Sequence, residues 1–321
     1  MKTLHNTFRS ARPQLAKLQE NVELIIKGKS DIIRHAIICV LARGHLLLED
    51  VPGVGKTTLA QCLARSLDLS FSRIQFTSDM LPSDILGVTT YDPNTRDFEF
   101  KPGPLFAHVV LADEINRTTP KTQSALLEAM SSSQVSIEKQ THELPRPFMV
   151  LATQNPIEFH GTFPLPKSQM DRFLMRLHLG YPSLEDEVTV LKEQRLVGNL
   201  DEVRPVLTAQ EMIDLQNVVD DVAVDDALLL YIAQVVQATR NHAEIQLGVS
   251  TRGTLALRRA AQAQAFFENR DYCIPDDIKT MVEPVLAHRI LMTDSDVSAG
   301  FQHQEERRML ARLLAQIDVP L

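Results

Sequence analysis

The chain has 321 residues, 44% of them hydrophobic, and carries 33 Lys and Arg against 41 Asp and Glu, a net charge of −8. That length suits two domains or one large domain with an appendage, and the charge is a poor footprint for tight, nonspecific binding to duplex nucleic acid. No apolar run is long enough to span a bilayer, and the N-terminal MKTLHNTFRSARPQL lacks the apolar core of a secretory signal, so a cytoplasmic protein is expected. Residues Thr3 to Ile25 have helical spacing and end in the loop Ile26-Lys27-Gly28-Lys29. Ser30 or Asp31 is expected to cap a second helix, whose stripe of Ile32, Ile33, Ala36, Ile37, Val40 and Leu41 follows i, i+4 spacing. His35 within it and His45 beyond it have no patterned carboxylate or cysteine beside them and read as satisfied, noncatalytic imidazoles.

The stretch Leu46 to Thr58, LLLEDVPGVGKTT, is the first chemical landmark. Leu46, Leu47 and Leu48 read as the end of a buried parallel strand, Pro52, Gly53, Val54 and Gly55 as a tight loop, and Lys56-Thr57-Thr58 as the opening of a helix. Small residues there let backbone N–H groups turn toward phosphate oxygens, and the helix adds the positive end of its dipole. Lys56 then reaches the β- and γ-phosphates, and the Thr57 hydroxyl ligands Mg2+. The full pattern G-x-x-x-x-G-K-[ST] has glycine where this chain has Asp50, while the two glycines nearest the phosphates are retained.

Phe71 to Phe76 alternates as a strand, Pro82-Ser83 starts a short helix at most, and GVTTYDPNTRDFEFKPGP reads as an inserted hairpin around Asp92-Pro93-Asn94-Thr95. The apolar strand from His108 to Ala112 ends in Asp113-Glu114, the second landmark. A first carboxylate at a strand tip can hold Mg2+, and a second beside the γ-phosphate can polarise a hydrolytic water. Asn116-Arg117-Thr118-Thr119-Pro120 then leads into an amphipathic helix with Leu126, Leu127, Ala129 and Met130, and Val135 to Leu144 forms a second hairpin with a polar turn at Lys139 to Thr141. Phe148 to Gln154 is another buried strand, stopped by Asn155-Pro156. An amide there shares the crevice of the phosphate loop, so Asn155 is a candidate to orient the attacking water or contact the γ-phosphate. After a last strand, Leu174 to Leu179, Gly180-Tyr181-Pro182-Ser183 reads as a linker. From Leu184 the spacing becomes wholly helical, with four or five helices, one starting at Ser250-Thr251-Arg252-Gly253 and another near Pro275. The expected fold is an α/β core with a five-stranded parallel sheet over residues 1–181, then a small all-helical lid over 182–321. Cys39, Cys62 and Cys273 lie far apart without C-x-x-C spacing and read as buried small hydrophobes.

With both landmarks placed, the chain resembles the AAA+ ATPases and, within them, the MoxR family. The segments carrying the resemblance are PGVGKT, LADEINRTTPKTQSALLEAM, LATQNP and LPKSQMDRF, and they span most of residues 20 to 180. The resemblance implies that the two hairpins, Val88 to Phe100 and Val135 to Leu144, are the helix-2 insertion and the hairpin before the sensor-1 strand. It implies ATP/ADP and Mg2+ as cofactors, with Gly53, Gly55, Lys56, Thr57 and Thr58 as Walker A, Asp113 and Glu114 as Walker B and Asn155 as sensor 1. Arg252 is similar to the sensor-2 arginine of the lid. Arg172, in MDRF, is similar to the arginine finger that reaches a neighbour's γ-phosphate, with Arg117 as its rival for that role. Ile26 and Gly28 sit where such proteins contact adenine.

A trans arginine implies a homo-oligomer, a hexameric ring with ATP between subunits. From the same resemblance come a chaperone-like function in client maturation, remodelling or metal and cofactor insertion, a von Willebrand factor A domain protein as partner, and a protein client. Two alternatives stand beside it. One is a nucleic-acid motor of the helix-2-insert group, which the acidic balance and the lack of an appended DNA-binding domain speak against. The other is a chelatase-type regulatory subunit.

Overall fold

A computed structural model of the chain describes residues 2–51, 53–138, 140–155, 162–193, 200–293 and 299–320, so Pro52, Lys139 and Pro156 lie outside the described residues. The elements in chain order are α1 (Lys2–Glu23), α2 (Ser30–Leu41), β1 (Leu46–Glu49), α3 (Lys56–Ser66), β2 (Phe71–Gln75), α4 (Pro82–Leu86), β3 (Gly87–Asp92), β4 (Asp97–Pro102) and β5 (Val109–Asp113). Then come α5 (Pro120–Ser132), β6 (Gln134–Ile137), β7 (Gln140–Glu143), β8 (Met149–Gln154), α6 (Lys167–Met170) and β9 (Met175–Leu177). The C-terminal part holds α7 (Leu184–Glu193), α8 (Ala209–Asp220), α9 (Asp226–Asn241), β10 (Ile245–Leu247), α10 (Thr251–Phe267), α11 (Pro275–Leu286), β11 (Leu291–Met292) and α12 (Ala299–Ala315).

Five parallel strands form one sheet in the order β2-β5-β8-β1-β9. Strands β1, β5 and β8 are buried along almost their whole length because the sheet is covered on both sides there, whereas β2 at one edge leaves Arg73 and Gln75 exposed. Leu46, Leu48, Val109, Leu111, Met149, Leu151 and Met175 face a core shared with α1, α2, α3 and the C-terminal helices. Leu47, Val110, Ala112, Val150 and Ala152 face the other way, against Leu126, Leu127 and Met130 of α5. The period of two in a strand makes this split obligatory.

Strand β8 lies between β1 and β5, although it comes last of the three in sequence. Leu48 pairs with Thr153, and Ala112 pairs with Ala152. The carboxyl ends of β1, β5 and β8 therefore lie side by side and border one crevice, the place where open α/β sheets bind ligands. Both expected hairpins form outside the sheet: β3 with β4, from Gly87 opposite Pro102 to Asp92 opposite Asp97, and β6 with β7.

Three local features differ from the sequence reading. Helix α2 begins at Ser30 after Lys29 with no side-chain cap, so Ser30 and Asp31 sit inside its first turn, where Asp31 meets the positive helix end. Among the described residues the C-terminal part has six helices, one or two more than expected. It also contains a two-stranded ribbon, with Ile245 of β10 opposite Met292 of β11. Strands of three and two residues are too short to leave a period in the sequence. Cys39, Cys62 and Cys273 are free and buried as expected. Burial pushes the Cys62 and Cys273 thiols up to about 12, and these two stay protonated at neutral pH.

Candidate nucleotide site

Gly53 and Gly55 adopt φ of 86° and 96°, a left-handed backbone that residues with a Cβ rarely take. A Cβ at either position would meet nothing within 4 Å, so conformation rather than crowding requires glycine there. Gly55 is also the residue before α3, whose first residue is Lys56. Lys56 Nζ donates to the Asp50 backbone carbonyl at 2.7 Å. Partial burial lowers the Lys56 pKa, opposed by the negative charges of Asp50, Asp113 and Glu114, so loop and acid pair share one electrostatic neighbourhood. Thr58 is buried, and Thr57 is partly accessible.

Asp113 ends β5 and is 9% exposed. Its Oδ1 accepts from the Thr153 hydroxyl at 2.7 Å, and its Oδ2 accepts from Arg73 at 2.6 Å and 3.2 Å. Glu114 turns the chain with φ 57°, outside the usual range for a side-chain-bearing residue. That turn gives the two adjacent carboxylates different partners. Glu114 N–H donates to Thr153 Oγ1 at 2.9 Å, while its Oε2 accepts from Gln75 at 2.9 Å and pairs with Arg117 at 3.0 Å. Asn155 follows β8 directly and is 6% exposed. Arg73, Gln75 and Thr153 are the residues sequence reasoning missed. Strand pairing is the signal that finds them, because Gln75 aligns with Asp113 only once β2 is known to lie beside β5.

Arg172 lies elsewhere. It donates to the Leu127 carbonyl and the Ser131 hydroxyl, each at 2.6 Å, on its own α5. With Arg252, Arg146 and Arg259 it lines a cavity of about 630 Å3 in which Asp171 is the one carboxylate among the described lining residues. None of those described lining residues comes from 50–58. Arg252 is the second residue of α10, whose N-cap Ser250 donates to Asp171 Oδ2 at 2.8 Å. Asp171 also binds the buried Arg289 at 2.8 Å. Burial lowers the Arg289 pKa to about 10 against the pull of Asp171, with Arg252 adding to the lowering. Arg117 does not join this group; it pairs with Glu114 of its own chain. Ile26 and Gly28 line a cleft of about 360 Å3 with Glu20, Glu23 and Leu24.

Residues 45–175 match the family model described as ATPase family associated with various cellular activities, and residues 237–308 match the AAA lid domain. The chain is 46% identical to YeaC of Bacillus subtilis over 96% of both chains. It is 40% identical to chaperone MoxR1 of Mycobacterium tuberculosis, over 85% of this chain and 74% of that protein. The chain belongs to the MoxR family of AAA+ ATPases. A crystal structure of a Cytophaga hutchinsonii protein superposes with a TM-score of 0.89 at 36% identity, covering 100% of this chain and 99% of the other.

Membership makes this MoxR chain an ATPase and supports a chaperone-like role. No helix among the described residues is long and apolar enough to cross a membrane. The Asp50 departure from the phosphate-loop pattern also has a structural counterpart. Asp50 is 9% exposed, and its carboxylate accepts backbone N–H groups from Leu179 and Gly180, 129 and 130 residues later in the chain.

Proposed function

We propose that this MoxR chain hydrolyses ATP at a site completed by the adjoining copy in a homo-oligomeric, hexameric ring. In this reading the cycle remodels, matures or loads a metal or cofactor into a client protein in the cytoplasm, with a von Willebrand factor A domain partner. The observation that carries it is the separation of charge. The phosphate loop and the acid pair occupy one crevice, while Arg172 and Arg252 open on a cavity whose described lining omits residues 50–58. Arg73 and Arg117 in the crevice are already paired with Asp113 and Glu114, so a second copy presenting that arginine face supplies further positive charge for the γ-phosphate, and AAA+ proteins generally oligomerise.

In this mechanism Ile26 and Gly28 hold the adenine, while the 53–55 backbone and Lys56 hold the phosphates. Thr57 and Asp113 are hard oxygen donors that suit Mg2+, and Asp113 already tolerates one cation, the Arg73 guanidinium. When bound, Mg2+ neutralises charge on the departing diphosphate. Asn155 orients a water, Glu114 takes its proton as the oxygen attacks the γ-phosphorus, and the bond to the β-phosphate oxygen breaks to leave ADP and phosphate. Arg172 and Arg252 stabilise the transition-state charge from the neighbour, an effect on the order of 10³ to 10⁵ in turnover for an arginine finger.

Client contact is assigned to the β3–β4 hairpin. Tyr91 and Phe98 are 53% and 70% exposed and meet edge to face at 5.4 Å, an apolar pair held out in solvent. Light scattering on the Glu114→Gln variant with ATP tests the assembly. Glu114→Gln keeps shape but removes the base, so a mass near six chains is expected. A monomer under conditions where wild type turns over would overturn the ring.

A further inference from the structure

Asp50 occupies the position where the phosphate-loop pattern has glycine, and all its polar groups are engaged. Its N–H donates to the Gln154 carbonyl at 3.3 Å, which ties it to β8 beside Asn155. Its carbonyl accepts Lys56 Nζ at 2.7 Å. Its carboxylate takes the Leu179 N–H with Oδ2 and the Gly180 N–H with Oδ1 at 3.1 Å. Leu179 is packed in the core at 2% exposed, while Gly180 has φ 62° and a Cβ there would meet nothing within 4 Å. Two backbone donors on one buried carboxylate hold the chain at the point where it leaves the core, and charge-assisted bonds of this kind are about twice as strong as neutral ones.

Neighbouring contacts converge on the same segment. Lys29 Nζ donates to the Tyr181 carbonyl at 2.8 Å, and a Cβ on Gly28 would lie 2.0 Å from the Asp186 carboxylate at the start of α7. Glu49, the residue before Asp50, pairs with buried Arg176 at 3.2 Å, and Arg176 in turn pairs with Glu306 of α12. The adenine loop, the phosphate loop and the last helix thus all contact the chain just before or within 176–186.

We infer that Asp50 is a positioning residue for hydrolysis, coupling the state of Lys56 to the bend at Leu179 and Gly180 and so to the position of the C-terminal helices. The Lys56 ammonium now uses one of its three N–H donors on the Asp50 carbonyl, and a phosphate bound in the loop competes for its position through charge-assisted bonds that a neutral carbonyl does not match. When nucleotide draws the ammonium away, the peptide of Asp50 loses a charged partner, and the carboxylate one residue arm away carries the adjustment to the linker. The inference rests on lid motion accompanying turnover, as the proposed function requires. Glycine at position 50 would retain the Lys56 contact and lose the linker.

The test compares wild type, Asp50→Gly and Asp50→Asn in three measurements: affinity for a fluorescent ATP analogue, steady-state turnover, and amide hydrogen exchange of the 179–184 peptide with and without a nonhydrolysable analogue. Asn keeps the size and one acceptor but turns an NH2 toward the second N–H, so it guards against a glycine variant that fails to fold. Expected are affinities within about threefold of wild type, kcat lowered about tenfold or more, and a linker whose exchange no longer responds to nucleotide. A purely structural role would lower melting temperature and leave the nucleotide response intact. Retention of that response, kcat within about twofold of wild type, or loss of nucleotide binding itself would each overturn the inference. A wild-type protein without turnover would instead count against the proposed function, so the two failures are distinguishable.

Discussion

Gln75 on β2 and Glu114 at the tip of β5 are joined side chain to side chain, Nε2 to Oε2 at 2.9 Å. Arg117 pairs with the same oxygen at 3.0 Å. An oxygen that already accepts from two donors is poorly placed to take a proton from water, so the resting site holds its base in check. Gln75→Leu removes one donor with little change in volume. Basal turnover is expected to rise about two- to fivefold, a change of under about 1 kcal/mol in barrier. Unchanged or lower basal turnover in a folded variant would contradict a restraining role for Gln75.

The Thr153 hydroxyl bridges the acid pair, donating to Asp113 Oδ1 and accepting the Glu114 N–H, with the residue 1% exposed. Valine fills the same space but leaves a buried N–H and a buried carboxylate oxygen short of partners. Thr153→Val should cost about 1–3 kcal/mol in urea unfolding and weaken Mg2+-dependent turnover. Wild-type stability and turnover together would show the bridge to be dispensable.

His45 is buried, its Nδ1 accepting the Val150 N–H at 3.0 Å and its Nε2 donating to the Met130 carbonyl at 2.9 Å. Burial pushes its pKa down to about 4, against an ordinary value of 6.5. The unfolded chain therefore binds a proton before the folded one does. Stability is fully present above about pH 6.5 and falls by up to about 3 kcal/mol toward pH 4. His178 has the same sign, lowered to about 4 by burial and Arg176, and His303 is lowered to about 2. Chemical unfolding from pH 7.5 to pH 5 should show about 2 kcal/mol of the His45 loss, the part accumulated below pH 6.5. His45→Leu should start less stable but with a shallower slope; a slope equal to wild type would contradict the assignment.

Much of this architecture was legible in the sequence because it depends on local chemistry. Leu46 to Leu48 are apolar on both sides of a strand, LADE is an apolar run ending in two adjacent carboxylates, and the glycines before Lys56 mark a chain reversal that few other residues tolerate. What escaped depends on partners far away in the chain. The strand order puts β8 between β1 and β5 and so gives Thr153 its bridging position, and no local pattern encodes that order. Arg73 and Gln75 looked like the polar side of an alternating strand until β2 was paired with β5. Asp50 read as a departure from a glycine pattern, because its carboxylate is accounted for only by backbone 129 and 130 residues later. Arg172 and Arg252 lie 80 residues apart in sequence, and the cavity that unites them exists only where α8 and α10 face the end of α5 across it.

The central claim is that one copy grips the triphosphate and the next supplies the arginine. Mixing Lys56→Ala protein with Arg172→Ala protein measures it most directly, since neither has both halves of a site and a mixed ring has intact ones between some neighbours. Each variant alone should turn over at about 1% of wild type or less, and the equimolar mixture should recover a substantial share of wild-type turnover. A mixture no more active than the sum of its parts, with co-assembly confirmed by mass, would contradict it.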